Sequence, residues 1–207
     1  MGTSTLLAAS IVILLFSVIL HEVMHGLAAL YWGDTTAQQA GRLTLNPISH
    51  IDPIGTILVP ALLALTHSPF LFGWAKPVPI DPFNFRDIRK GELATSAAGI
   101  AANLALALLA ALLFHLLVSF ANTLWLQILI FTSYINLLLA VFNMIPIPPL
   151  DGSKILISLL PPKAAAGFAA LEQYGMFLLL LLLVSGLFGA VLGPVLILLM
   201  HILGLPF

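Results

Sequence analysis

The chain has 207 residues, 61% of them hydrophobic and 7% charged, with a formal net charge of −1. A mean hydropathy of +1.14 means more apolar surface than a soluble domain buries, so the composition specifies an integral membrane protein. The 7 Lys and Arg residues form no cluster, which excludes nucleic acid as a partner. The lack of cysteine excludes disulfides and thiolate metal sites, so any metal must be held by His, Asp or Glu.

A helix needs about 20 apolar residues, at ~1.5 Å each, to cross a hydrocarbon core of ~30 Å. The first such run is 6–32. No basic residue precedes it, and Ala8, Ala9 and Ser10 come before its core rather than after it, so it reads as a retained helix and not a cleaved signal. Residues 54–65 form a shorter apolar run interrupted by Pro60, which predicts a re-entrant or interfacial piece. Residues 93–121 and 124–145 are the second and third spans, 163–174 reads as an Ala-rich helix on the bilayer surface, and 176–205 as the C-terminal span. Gly186, Gly189, Gly193 and Pro194 interrupt that last run, which is either one kinked crossing or a broken pair. The expected fold is therefore an all-α polytopic membrane protein with about four spanning helices. It is treated as a single domain over 1–207 with its core at 6–160. Alternating polar and apolar residues over 42–45 fit either a small β element at the membrane or a plain loop.

The first span contains His21-Glu22-Val23-Met24-His25. On a helix, positions i and i+4 share a face, so both imidazoles can converge on one ion, with Glu22 beside them to take a proton from water. Interhelical hydrogen bonding is the alternative use of such groups. Three ionisable side chains in one turn at bilayer depth are costly, however, and a cation offsets that cost. A catalytic zinc needs three protein ligands and an open position. Asp151 is the candidate third ligand, after a span broken by Pro146, Pro148 and Pro149. Non-helical backbone at that depth is tolerated where it lines a cavity. A role for Asp151 as N-cap of a helix over 153–160 would explain the acid but not the prolines.

Charge and chemistry agree on topology. With 54–65 not crossing, the loops 33–92 and 146–175 lie on one face and hold every Lys and Arg: Arg42, Lys76, Arg86, Arg89, Lys90, Lys154 and Lys163. The positive-inside rule makes that face cytoplasmic. It also brings His25 and Asp151 to one side, whereas an extra crossing would separate them.

These motifs together resemble the site-2 protease family of intramembrane metalloproteases, in its compact form without an inserted peptide-binding domain. The resemblance extends through 41–47 (GRLTLNP), 50–56 (HIDPIGT), 73–79 (GWAKPVP) and 98–103 (AGIAAN), with Ile100 standing where similar sequences often carry proline. It implies one zinc ion per chain held by His21, His25 and Asp151, with Glu22 as general base. The implied substrate is a transmembrane or membrane-anchored protein, cleaved at a site open to the cytoplasmic side. Asn143 and Pro146 match residues of the family's substrate handling. Asn103 is a further candidate for substrate contact, and so is Thr44, on the hypothesis that 42–45 is an edge strand pairing with an unwound substrate.

Two rival functions follow from the same residues. Intramembrane His, Glu and Asp can line an ion path, but transporters show paired internal repeats and none is visible. A structural zinc in an idle binding protein would have no use for an unligated Glu22. His50 and Asp52 read as a loop-structuring pair, or as groups that orient a ligand. His67, His115 and His201 read as isolated helix contacts.

Overall fold

The fold is taken from a computed structural model, and its description covers residues 2–66 and 73–206, which leaves His67 outside the described residues. The elements are helices joined by turns, with no strand among the described residues. α1 runs Gly2–Trp32, and the four-residue α2 spans Thr36–Gln39. A 3-10 turn (Pro47–His50) and a π-helical stretch (Pro53–Leu58) lead into α3, Val59–Leu65. At ~1.5 Å per residue the last two together measure ~20 Å, too short to cross.

An extended segment over 73–81 then leads to α4, Ile88–Leu117, whose N-cap Asp87 accepts the Lys90 N–H at 3.0 Å. α5, Thr123–Met144, starts on Asn122, which caps the Trp125 N–H at 3.1 Å. α6 is Asp151–Leu159 and α7 is Pro162–Ala169. A 3-10 turn, Ala170–Tyr174, joins α7 directly to α8, Gly175–Val184, and α9 is Leu187–Ile202.

Four helical stretches are long and apolar enough to cross a membrane: Thr5–Trp32, Ile88–Leu117, Thr123–Met144 and Pro162–Val184. The first three match the expected spans. The fourth begins earlier than expected, because the helix over 163–174 runs on into α8 without a break. Residues 176–205 form a broken pair and not a kinked rod. The break falls at Gly186, whose φ of 74° is a left-handed value that glycine adopts without steric cost, while Pro194 sits inside α9.

α4 is the central helix, in contact with α1, α5 and α6. Its first half is rich in small residues, among them Gly91, Ala94, Thr95, Ser96 and Gly99, which let neighbouring backbones come close. Its second half contributes Ala107, Ala111 and Phe114 to an apolar core shared with Leu137 of α5 and with Leu192, Leu196 and Met200 of α9. Many large apolar side chains remain exposed on the outer faces, including Leu7, Ile11, Leu112, Leu116 and Phe177, as expected where lipid is the solvent.

The loop between α1 and α4 is tied down by polar bonds. Asp34 is fully buried and accepts from Thr36 N–H (3.0 Å), Asp81 N–H (2.8 Å) and Asn84 Nδ2 (3.0 Å), and also from the Thr36 hydroxyl. Burial works against its charge, but the bonds from Thr36, Asp81 and Asn84 outweigh it and hold the carboxyl below the usual carboxylate range. The extended segment is pinned at alternate residues. Trp74 N–H reaches the Gly55 carbonyl (3.1 Å), Lys76 N–H the His50 carbonyl (2.9 Å) and Val78 N–H the Glu22 carboxylate (2.8 Å).

Residues 42–45 are not a strand. The chain bends at Leu43 and Thr44, where the Thr44 Oγ1 accepts the Asn46 N–H at 3.2 Å and the Thr44 carbonyl accepts from His50 Nε2 at 2.8 Å. These local bonds replace the cross-strand pairing that an edge strand would make.

Candidate metal centre

α1 carries Ser17, His21 and His25 at intervals of four, and α4 carries Thr95, Gly99 and Asn103 at the same interval, so each set occupies one helix face. The two stripes meet antiparallel. Asn103 Nδ2 lies 3.4 Å from the Ser17 carbonyl, Asn103 Oδ1 lies 2.6 Å from His21 Nδ1, and the Thr95 carbonyl lies 2.7 Å from His25 Nδ1. Gly99 sits between the rings. A Cβ there would come within 2.6 Å of His21 Cε1 and of His25 Cε1 and Nε2, so only glycine leaves room for both.

Because both Nδ1 atoms face oxygen acceptors, each neutral imidazole carries its hydrogen on Nδ1 and turns a bare Nε2 inward. The two Nε2 atoms are 2.9 Å apart. Asp151 Oδ2 completes the triangle at 3.1 Å from His21 Nε2 and 3.2 Å from His25 Nε2. Three lone-pair atoms thus converge with no hydrogen among them, and the buried Asp151 Oδ2 receives no hydrogen bond. Such a cluster is repulsive unless a cation fills it. A tetrahedral zinc with bonds of ~2.0–2.1 Å keeps its ligands ~3.3 Å apart, so the triangle fits that ion and leaves its fourth position open. Glu22 lies alongside, with the ligand atoms of His21, Glu22 and His25 all within 4.8 Å of one another.

Asp151 arrives by a sharp reversal. α5 ends at Met144, the Leu150 N–H bonds to the Ile147 carbonyl at 2.9 Å, and α6 begins at Asp151 itself. The cap position is Leu150, so the Asp151 carboxylate is not an N-cap and points at the histidines instead. Gly152 makes the reversal possible, since a Cβ there would collide with the Met144 carbonyl.

The remaining expected residues divide. Asn143 is half-buried at the end of α5, with Nδ2 on the Leu139 carbonyl at 3.0 Å, and Pro146 is exposed. Pro146 lines an apolar cavity of about 340 Å³ together with Ile145, Ile147 and residues of α8 and α9. Asn103, a candidate for substrate contact, lies behind the histidines. It is fully buried and its amide serves His21. Thr44 is half-buried in its bend. His50 and Asp52 structure the loop, the first through Thr44 and the second by capping the N–H groups of Ile54 and Gly55 at 3.0 and 2.6 Å. His115 bonds the Leu203 carbonyl at 2.7 Å, and His201 is exposed.

Gly99, Asn136, whose Oδ1 accepts from Asn103 Nδ2 at 2.8 Å, and Val78, whose N–H bonds Glu22, adjoin the candidate site and were not singled out by sequence reasoning. The first had a readable signal, the four-residue stripe of small and polar residues at 95, 99 and 103 on an otherwise apolar helix. Val78 had none, because its contribution is a backbone N–H.

Comparison with known proteins identifies the family. The model of Peptidase family M50 matches residues 118–183, which include the turn carrying Asp151. Several relatives bear the name "Putative zinc metalloprotease". YwhC of Bacillus subtilis is 37% identical over 200 residues, covering 90% of this chain and 84% of the relative. Rip2 of Mycobacterium tuberculosis is 31% identical, covering 87% of this chain and 69% of the relative. Rip2 of Mycolicibacterium smegmatis is 29% identical, covering 83% and 64%. No solved structure gives a significant match. With a metal-ready triangle of His21, His25 and Asp151 set among apolar helices, and relatives matched over most of their length, the chain belongs to Peptidase family M50, the site-2 protease family of intramembrane zinc metalloproteases.

Proposed function

We propose that His21, His25 and Asp151 hold the zinc, that Glu22 is the general base, and that the substrates are transmembrane or membrane-anchored proteins entering a site open towards the cytoplasm. The observation that carries the ligand assignment is the triangle of 2.9, 3.1 and 3.2 Å, in which Asp151 Oδ2 is buried without a hydrogen bond. Bound zinc supplies Lewis-acid polarisation of a peptide carbonyl and brings water towards ionisation near neutral pH.

The chain's own groups do the rest. Val78 N–H holds Glu22 Oε2 at 2.8 Å, which leaves Oε1 to take the proton from the attacking water and hand it to the leaving amine. A helical substrate must unwind to present its carbonyl, which frees N–H groups in the stretch around the cleaved bond. Asn143 keeps Oδ1 available for one of them while its Nδ2 is anchored on the Leu139 carbonyl. Pro146 prevents the third span from continuing as helix beside that stretch, and Thr44 is a further candidate contact on the loop between α1 and α4.

The cytoplasmic assignment rests on the seven basic residues, all within 33–92 and 146–175. Arg86 N–H bonds the Trp32 carbonyl at 2.9 Å, and Arg89 bonds the carbonyls of Ser158 and Leu160, so these loops gather at one end of the helices.

The test uses purified protein and single-span substrates, with and without a chelator. Cleavage is expected to stop in chelator and to fall by roughly 10²–10⁴-fold in Glu22→Gln, with about one zinc per chain retained. Cleavage that persists in Glu22→Gln overturns the base assignment. For sidedness, single cysteines at Arg89 and Asn122 should be labelled from the cytoplasmic and the opposite face respectively, and the reverse pattern would overturn the orientation.

A further inference from the structure

The His-Glu-x-x-His pattern explains His21 and His25 but not the buried amides behind them. Asn103 and Asn136 are both 0% exposed and Ser17 is 3% exposed, on α4, α5 and α1 respectively. Polar groups at such depth are costly unless fully bonded. Their bonds run in a fixed direction. Asn136 Nδ2 donates to the Thr132 carbonyl and to Ser17 Oγ, both at 2.9 Å. A backbone carbonyl only accepts, so Asn136 must turn its Oδ1 the other way, towards Asn103. Asn103 meets it with Nδ2 at 2.8 Å, and its second amide hydrogen faces the Ser17 carbonyl at 3.4 Å. That leaves Asn103 Oδ1 as the atom facing His21 Nδ1 at 2.6 Å. The hydrogen of His21 must then sit on Nδ1, and Nε2 is left bare.

We propose that Asn136 is a positioning residue of the metal centre, acting through Asn103 to fix the tautomer and ring orientation of His21. The inference rests on His21 being a zinc ligand. Outer partners of this kind set ligand orientation and basicity, and their loss lowers metal affinity roughly 10- to 100-fold. The relay also ties α5 to the first ligand on α1. Since α5 runs on into the turn that delivers Asp151, both ends of the triangle are referenced to one helix.

The experiment measures zinc affinity of the full-length chain by chelator competition in Asn136→Ala, Asn103→Ala and the double variant. Ser133→Ala serves as control, because Ser133 is equally buried on α5 but bonds only the Ala107 carbonyl, at 3.1 Å. Each relay variant is expected to bind zinc roughly 10- to 100-fold more weakly. The double variant should be no weaker than Asn103→Ala alone, because Asn136 acts through Asn103. The control should match wild type. Cobalt(II) loaded in place of zinc should give an altered visible spectrum in the relay variants and an unchanged one in the control. If Asn136→Ala does not fold, Asn136→Ser makes the same comparison, since its hydroxyl is too short to span from Asn103 to Ser17. Wild-type zinc affinity in Asn136→Ala, or additive losses in the double variant, overturns the relay. Wild-type protein that takes up no zinc overturns the ligand assignment and the relay with it.

Discussion

His21 and Glu22 are adjacent in sequence, yet they are held by different kinds of structure. The floor of the site is helical. The proposed ligands project from α1 and from the start of α6, and behind the histidines stand a backbone carbonyl of α4 and a chain of amides across α4 and α5. The cover is a loop. Glu22 meets the extended segment over 73–81 through one main-chain N–H, and that segment is held by bonds to other loops and by the buried Asp34. A metal ligand must keep one geometry throughout turnover, and helices with fully paired polar groups provide that. A general base, the role proposed for Glu22, must gain and lose a proton, and a single bond from a loop holds that carboxylate without enclosing it. Zinc binding should therefore fail only when the floor is disturbed, and turnover should fail when either part is.

The largest effect should come from Gly99→Ala, which strikes the floor without removing any proposed ligand. Its Cβ would sit 2.6 Å from atoms of both imidazoles, and the rings can yield only by leaving the triangle. Displacements of this size cost on the order of 10²-fold in rate. Activity is expected to fall at least that far and zinc content to drop well below one per chain. Alanine is the better helix former, so α4 itself should persist, which circular dichroism would check. A fully active Gly99→Ala would mean that the floor is soft and that the contrast with the cover is wrong.

Val78→Pro should strike the cover alone. It deletes the N–H that holds Glu22, in a segment already extended between Pro77 and Pro79. Val78→Ala keeps that N–H and loses only packing near Gly26. A hydrogen bond to a charged group is worth ~1.5–3 kcal/mol, so the proline variant should lose ~10-fold or more in kcat beyond the alanine variant, at unchanged zinc content. Equal turnover in the two variants would remove Val78 from the machinery, and loss of zinc would merge cover and floor into one unit.

The same division decides what could be read in the sequence. The floor left a periodic trace. His21 and His25 lie four apart on an apolar helix, the prolines at 146, 148 and 149 mark a forced break before Asp151, and the spans show by length and hydropathy. Even Asn103 lay within view, but a buried asparagine and a substrate-facing one look alike until the neighbouring helix is placed, as it is here against Ser17 and Asn136. The cover left almost none. The bends at Leu43 and Thr44 arise from hydroxyl, imidazole and carbonyl bonds that alternation of residue type does not encode, so the sequence left strand and loop open over 42–45 and the chain folds as a bent loop. The division of 176–205 was open for a similar reason. Four candidate breakers lie within nine residues, and only Gly186 takes the left-handed backbone that ends a helix.

Asp34 gives the smallest and most specific effect, since it anchors the cover away from the metal. Its two oxygens accept from Thr36, Asp81 and Asn84, and Asp34→Asn would set an amide donor against one of those N–H groups. A loss of about 2 kcal/mol is expected at pH 7, read from thermal unfolding in detergent, with zinc content unchanged. The pH dependence follows from the sign of the shift. The folded carboxyl titrates below its ordinary value, so its contribution is fully present above the unfolded pKa of ~3.9 and is lost as pH falls through the lower folded value. The gap between wild type and Asp34→Asn should therefore be flat from about pH 7 to pH 5 and narrow only below about pH 4. Asp87 has a carboxyl that is also held low, first by the Lys90 N–H. It is present in both proteins and cancels in the difference. A gap that closed between pH 5 and 7 would mean that a group other than Asp34 holds the cover. A gap accompanied by zinc loss at pH 7 would mean that the loop, and not the helices alone, sets the geometry of the metal centre.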